Sequence, residues 1–143
     1  MRVLVDTTVW CLALRRPASK LSPEEVSVRD AWAELVDDDR VLVLGVVRQE
    51  VLSGIRDRQQ FDKLRDALRA FPDVVIEQDD HERAAELFNM FRSHGVQSSV
   101  VDALLCAVAR RLDVAIFTLD ADFPRYAGLC PLTLFTRTQP QQG

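Results

Sequence analysis

Val3-Leu4-Val5-Asp6-Thr7-Thr8-Val9-Trp10 opens the chain with a short apolar, β-branched run that ends on a carboxylate. Asp6 is the only charge between Val3 and Leu14. Four more runs of the same character follow at residues 41–44, 74–76, 114–118 and 132–135, separated mostly by segments of helical periodicity. Ser22-Pro23-Glu24-Glu25 is a helix start, with Ser22 as cap, proline in the first turn and Glu25 reaching back. Val28, Trp32 and Leu35 then share one helix face; Phe61, Leu64, Leu68 and Phe71 repeat the stripe before Pro72, and Ala84, Leu87, Phe88 and Phe91 before Gly95. Strands apolar on both faces, alternating with helices, predict an α/β domain: three α/β/α layers around a mostly parallel sheet of about five strands. The domain is expected to cover residues 1–135, and the polar stretch 136–143, with Pro140 and three glutamines, to form a loose tail.

A length of 143 residues suffices for one domain with its own core. The formal net charge is −4, and no apolar stretch approaches the ~20 residues of a membrane span. Because Asp6 interrupts the apolar start, no secretory leader is read there and a cytoplasmic location is expected. Cys11, Cys106 and Cys130 form no C-x-x-C pair and read as buried free thiols, while His81 and His94 lack the spacing of zinc ligands. Neither a G-x-G-x-x-G nor a P-loop motif occurs, so no nucleotide cofactor is expected. The bases are 16 Arg and 2 Lys, a composition suited to phosphate contact by guanidinium groups or equally to codon bias.

Certain carboxylates fall where a parallel sheet places its ligands, outside the carboxyl ends of the strands. Asp6 follows the first run, Asp120 follows Ala115-Ile116-Phe117-Thr118, Asp122 lies two residues on, and Glu50 is expected to open a helix after residues 41–47. Asp102 is the only polar residue from Val100 to Ala109. Each has a structural explanation too. Ser99 and Asp102 can form a capping box, Glu50 can sit at a helix start, Asp6 and Asp120 can bond their own turns, and Asp122 can cap a short helix near Phe123. Taken together, carboxylates ~4 Å apart repel by about 4 kcal/mol at an effective dielectric near 20, which helix dipoles cannot offset. Such a cluster takes up protons or holds a cation, and an all-oxygen site suits Mg²⁺ or Mn²⁺, ions that activate water and clamp a phosphodiester.

With those residues in hand, the sequence resembles the PIN-domain family, and within it the VapC toxins of VapBC toxin-antitoxin pairs. The matching text is Val3 to Trp10, Gln49-Glu50-Val51-Leu52-Ser53-Gly54, Val101-Asp102-Ala103-Leu104-Leu105-Cys106-Ala107-Val108-Ala109 and Thr118-Leu119-Asp120-Ala121-Asp122-Phe123. The resemblance implies a Mg²⁺-dependent endoribonuclease, with Mn²⁺ able to substitute, whose acidic quartet is Asp6, Glu50, Asp102 and Asp120. Asp6 and Asp102 would bind the metal directly, with Glu50 and Asp120 completing the site directly or through water. Thr8 stands where the family often has Ser, Thr118 can orient Asp120, and both can equally be turn residues; Asp122 is an acid whose part in the site is left open. Cys106 stands where Ala is common. The resemblance also implies a homodimer, a VapB-like antitoxin and an RNA substrate. Arg15, Arg16, Arg48 and Arg56 are candidate RNA contacts by nearness to the acids in sequence. Alternatives are a PIN nuclease of RNA processing and a catalytically silent PIN-like module. A receiver domain would need a lysine by the acids, and a haloacid-dehalogenase-type phosphatase a second aspartate at position 8.

Overall fold

The computed structural model describes residues 1–137, so the tail expected over 136–143 falls outside the described residues from position 138 on. Strand β1 (Val3–Val5) lies at the centre of a parallel sheet, between β2 (Val41–Leu42) and β3 (Ala115–Phe117). Val3 is opposite both Val41 and Ala115, and Val5 is opposite Phe117. All residues of β1 and β3 are buried, as strands covered by helices on both faces must be.

Three strands form where about five were expected. The two outer runs reach the sheet at one point each, through parallel bridges that pair Val43 with Asp73 and Ile116 with Leu134. Residues 74–76 cannot extend their bridge into a ladder, because Val75 is 77% exposed and its carbonyl accepts from the Arg111 guanidinium instead.

Helices α1 (Thr7–Arg15), α2 (Pro23–Asp37), α3 (Gly45–Leu52), α4 (Arg58–Leu68), α5 (Gln78–Ser93), α6 (Val100–Leu112) and α7 (Phe123–Ala127) cover the sheet. The capping box of α2 is formed in full: Ser22 Oγ accepts from the Glu25 N–H at 3.2 Å, and the Glu25 carboxylate accepts from the Ser22 N–H at 3.0 Å. Helix α1 packs on α2 and α3, and α6 packs between α5 and β3. Trp10 fills the space under α1, edge-on to Trp32 and Phe71 with centroids 5.7 and 5.0 Å away. Its indole N–H donates to the Val5 carbonyl at 3.0 Å, so a large ring is buried with its polar atom satisfied.

Two charged side chains are buried, and they are answered differently. Asp80, in the first turn of α5, is fully buried and receives two bonds from Arg111 of α6, at 2.7 and 2.9 Å, plus the Glu77 N–H at 2.9 Å. The Arg111 hydrogen bonds hold the Asp80 carboxyl below the usual carboxylate range. Its folded-state pKa is therefore depressed, and the stability it contributes is present above the unfolded value near 3.9 and is lost as pH falls below that value. The other, Asp6, forms no ion pair among the described residues.

Replacing Arg111 with Met should strand the Asp80 charge and cost about 3 kcal/mol of unfolding free energy at neutral pH. Chemical denaturation at pH 7 and pH 3 measures this, and the cost should shrink at the lower pH, where Asp80 takes up a proton.

Candidate active site

The chain passes from β1 to β2 on one side of the sheet and returns to β3 on the other, so the carboxyl ends of β1 and β3 form the point where strand order reverses. Asp6 and Thr118 stand there, side by side, with the Asp6 N–H donating to the Phe117 carbonyl at 2.9 Å. Asp6 is 5% exposed. Two threonine hydroxyls donate to its Oδ2, Thr118 at 2.8 Å and Thr8 at 2.9 Å. Each hydroxyl in turn accepts a backbone N–H at 3.0 Å, Thr118 from Asp120 and Thr8 from Leu119. Two short relays therefore run from main-chain amides through hydroxyls onto one carboxylate oxygen, each bond polarising the next. The Thr118 hydroxyl thus bonds the Asp120 backbone and Asp6 at once.

Asp102 sits in the first turn of α6. Its backbone N–H donates to Ser99 Oγ at 2.9 Å, which is half of the expected capping box. The other half is missing, because the carboxylate turns to the Tyr126 hydroxyl, which donates to Oδ2 at 2.9 Å. Burial raises the Asp102 carboxyl above the ordinary range, and the negative charge of Asp6 adds to the shift.

Glu50 corrects an expectation. It does not open a helix: α3 begins at Gly45, directly after the short β2, and Glu50 lies in its last turn. A helix C-terminus disfavours an anion, so the dipole gives this carboxylate no support. The Thr7 hydroxyl donates to Glu50 Oε1 at 3.2 Å. Partial burial raises the Glu50 carboxyl, and the charges of Asp6 and Asp102 raise it further. Asp6, Glu50 and Asp102, from three distant stretches of chain, thus act on one another.

Asp120 accepts the Asp122 N–H on Oδ1 at 2.9 Å, closing the turn into α7. Asp122 occupies the cap position of α7 but makes no side-chain cap bond, so the capping expected of it is not formed. Both charges act on the Tyr126 phenol beside Asp102. Sequence reading assigned no role to Tyr126 or to Thr7, although Thr7 lies within the motif that carries Asp6.

Among the described residues none of these five acids forms an ion pair; every pair involves other acids. The arginines proposed for RNA divide accordingly. Arg48 is committed to the fold, since it donates to Asp73 Oδ1 at 2.9 Å, to the Leu68 carbonyl at 2.8 Å and to the Phe71 carbonyl, tying off the end of α4. Arg16 is paired with Glu25 of the α2 cap. Arg15 reaches only Cys11 Sγ, at 4.0 Å, and Arg56 is exposed.

The chain matches the PIN domain model over residues 3–129. It belongs to the PIN domain family. Members of this family are generally nucleases, and they typically use divalent metals. No curated protein matches the sequence. Solved structures of the same fold include FitAcB from Neisseria gonorrhoeae, 16% identical over 94% of this chain and 97% of that one, TM-score 0.71. VapBC2 from Rickettsia felis, bound to a DNA fragment from its promoter, is 16% identical over 94% and 98%, TM-score 0.73. A toxin-antitoxin complex from Klebsiella pneumoniae is 20% identical over 85% and 89%, TM-score 0.63.

The donor set of this PIN domain suits a hard divalent ion: oxygen only, anionic, and free of competing guanidinium groups. No three carboxylates of the described residues close into a ready ligand shell. Mg²⁺ does not require one, because it keeps several waters and is held through one or two carboxylates.

Asp102→Asn should raise the melting temperature at pH 7, since the folded state penalises the charged form of this group. A raised carboxyl pKa carries no penalty below its unfolded value, about 3.9, and a growing one as pH rises through the folded value. The gain should therefore vanish near pH 3, which thermal melts at the two pH values will read.

Proposed function

We propose that this PIN domain is a Mg²⁺-dependent endoribonuclease and the toxin component of a type II toxin-antitoxin module. The observation that carries the reading is Asp6: a buried carboxylate with no ion pair among the described residues, at the sheet's switch point, sharing its surroundings with two acids of raised proton affinity. A bound Mg²⁺ or Mn²⁺ would be held by Asp6 and Asp102, completed by Glu50 and Asp120, and would supply Lewis acidity toward water and a phosphodiester.

The chain's own residues perform the rest. Thr8 and Thr118 hold Asp6 Oδ2, so Oδ1 has a fixed direction. Thr7 holds Glu50 Oε1, which leaves Oε2 to accept a proton from an attacking water, and its raised proton affinity suits it to that role. With a net charge of −4, the chain attracts RNA weakly at long range, so phosphate contact depends on the cation and on exposed bases such as Arg15 and Arg56.

An antitoxin partner is supported by the neighbours, which are solved as FitAcB, VapBC2 and a toxin-antitoxin complex. A VapB-like antitoxin, a homodimeric toxin and a cytoplasmic location complete the proposal.

Asp6→Asn and Asp102→Asn should each lower Mg²⁺-dependent RNA cleavage at least about a hundredfold, the scale of losing an electrostatic clamp on transition-state charge. Cleavage of a single-stranded RNA at millimolar Mg²⁺ measures it, and wild-type rates in either variant would sink the mechanism. Expression of the wild type alone should arrest growth of the host, whereas the Asp6→Asn protein should not; normal growth with soluble wild type would leave a nuclease of RNA processing.

A further inference from the structure

Tyr126 is the chain's single tyrosine, and it is fully buried. Its ring stacks on Phe91 of α5, with centroids 4.8 Å apart at 20°, and stands edge-on to Phe123 at 5.1 Å. A phenylalanine would pack there equally well. What the hydroxyl adds is its 2.9 Å bond to Asp102 Oδ2; the other acceptor in range, the Gln97 carbonyl, is 3.4 Å away. A hydroxyl taken out of water without a partner is costly, so its presence here is balanced by that carboxylate.

A phenol differs from the alternatives in one useful respect. Arginine or lysine at this place would fix Asp102 and also cancel its charge, as Arg111 does for Asp80. The phenol fixes the carboxylate without bringing a positive charge to it. The same short helix that carries Tyr126 starts from the Asp120 turn, and the Tyr126 N–H donates to the Asp122 carbonyl at 3.2 Å. One rigid unit therefore sets the third and fourth acids of the site relative to each other.

We infer that Tyr126 is a positioning residue for the metal: it holds Asp102 by Oδ2 in a fixed orientation and leaves Oδ1, which has no hydrogen bond among the described residues, to the ion. This rests on the acidic cleft being a Mg²⁺ or Mn²⁺ site. Hydrogen-bonded partners behind a ligand typically contribute about 10- to 100-fold to metal affinity.

Tyr126→Phe tests it on the full chain, beside wild type and Asp102→Asn, with Mn²⁺ binding followed by calorimetry and by the loss of the free-ion electron paramagnetic resonance signal. The expected result is a Kd for Mn²⁺ about tenfold weaker in Tyr126→Phe. RNA cleavage should recover to within about twofold of wild type once Mn²⁺ is saturating, with KM for RNA unchanged, because an interaction serving the ion alone is restored by mass action. A Tyr126→Phe protein that binds Mn²⁺ as wild type does overturns the inference, whether or not its metal-free melting temperature has fallen, because the hydroxyl then serves only the fold. Wild type that binds no Mn²⁺, or Asp102→Asn that binds it equally well, overturns the reading of the cleft itself and the inference with it.

Discussion

A carboxylate that is nearly out of water, and has no opposite charge to answer it, is the constraint on which the site depends. Asp6 is held by dipoles: two backbone amides pass their polarity through Thr8 and Thr118 to a single oxygen. Dipoles stabilise a charge without removing it. Asp80 shows what the chain does when it wants a buried acid silenced, which is to supply a guanidinium from the next helix. The contrast within one molecule separates an acid tied to a guanidinium from an acid held by neutral hydroxyls.

The positions of the acids follow from this arrangement. Asp102 is at a helix start where a reciprocal cap was available, and its carboxylate turns away from that cap toward a phenol. Glu50 is in the last turn of α3, the end of a helix that repels anions. The Glu50 position and the Asp102 side-chain orientation are not the ones local preference would choose.

Much of this was legible in the chain. The run Val3 to Val5 ending on Asp6 announced a buried strand and its carboxyl end, Ser22 to Glu25 announced a cap that the structure forms in full, and Asp102 was visible as a lone charge in an apolar helix. What could not be read depended on distant partners. Val74 to Ile76 looks like a strand by composition, yet Val75 faces water and gives its carbonyl to Arg111, 36 residues away. Arg48 looks like a free base beside an acid, yet it is spent on the carbonyls that end α4. Tyr126 is indistinguishable from a core aromatic until its hydroxyl is seen to meet Asp102. The helix start at Gly45 was misjudged because the residues on both sides of it are equally apolar, and periodicity carries no boundary there.

The two flanks of the sheet have a bearing on how the protein meets other molecules. Each flank ends in a segment joined to it by a single bridge, at Asp73 on one side and Leu134 on the other. Such a margin offers no straight row of idle amides and carbonyls for a foreign strand to zip onto. Growth of the sheet from molecule to molecule is thereby discouraged, and whatever docks on this protein meets helices rather than a strand edge.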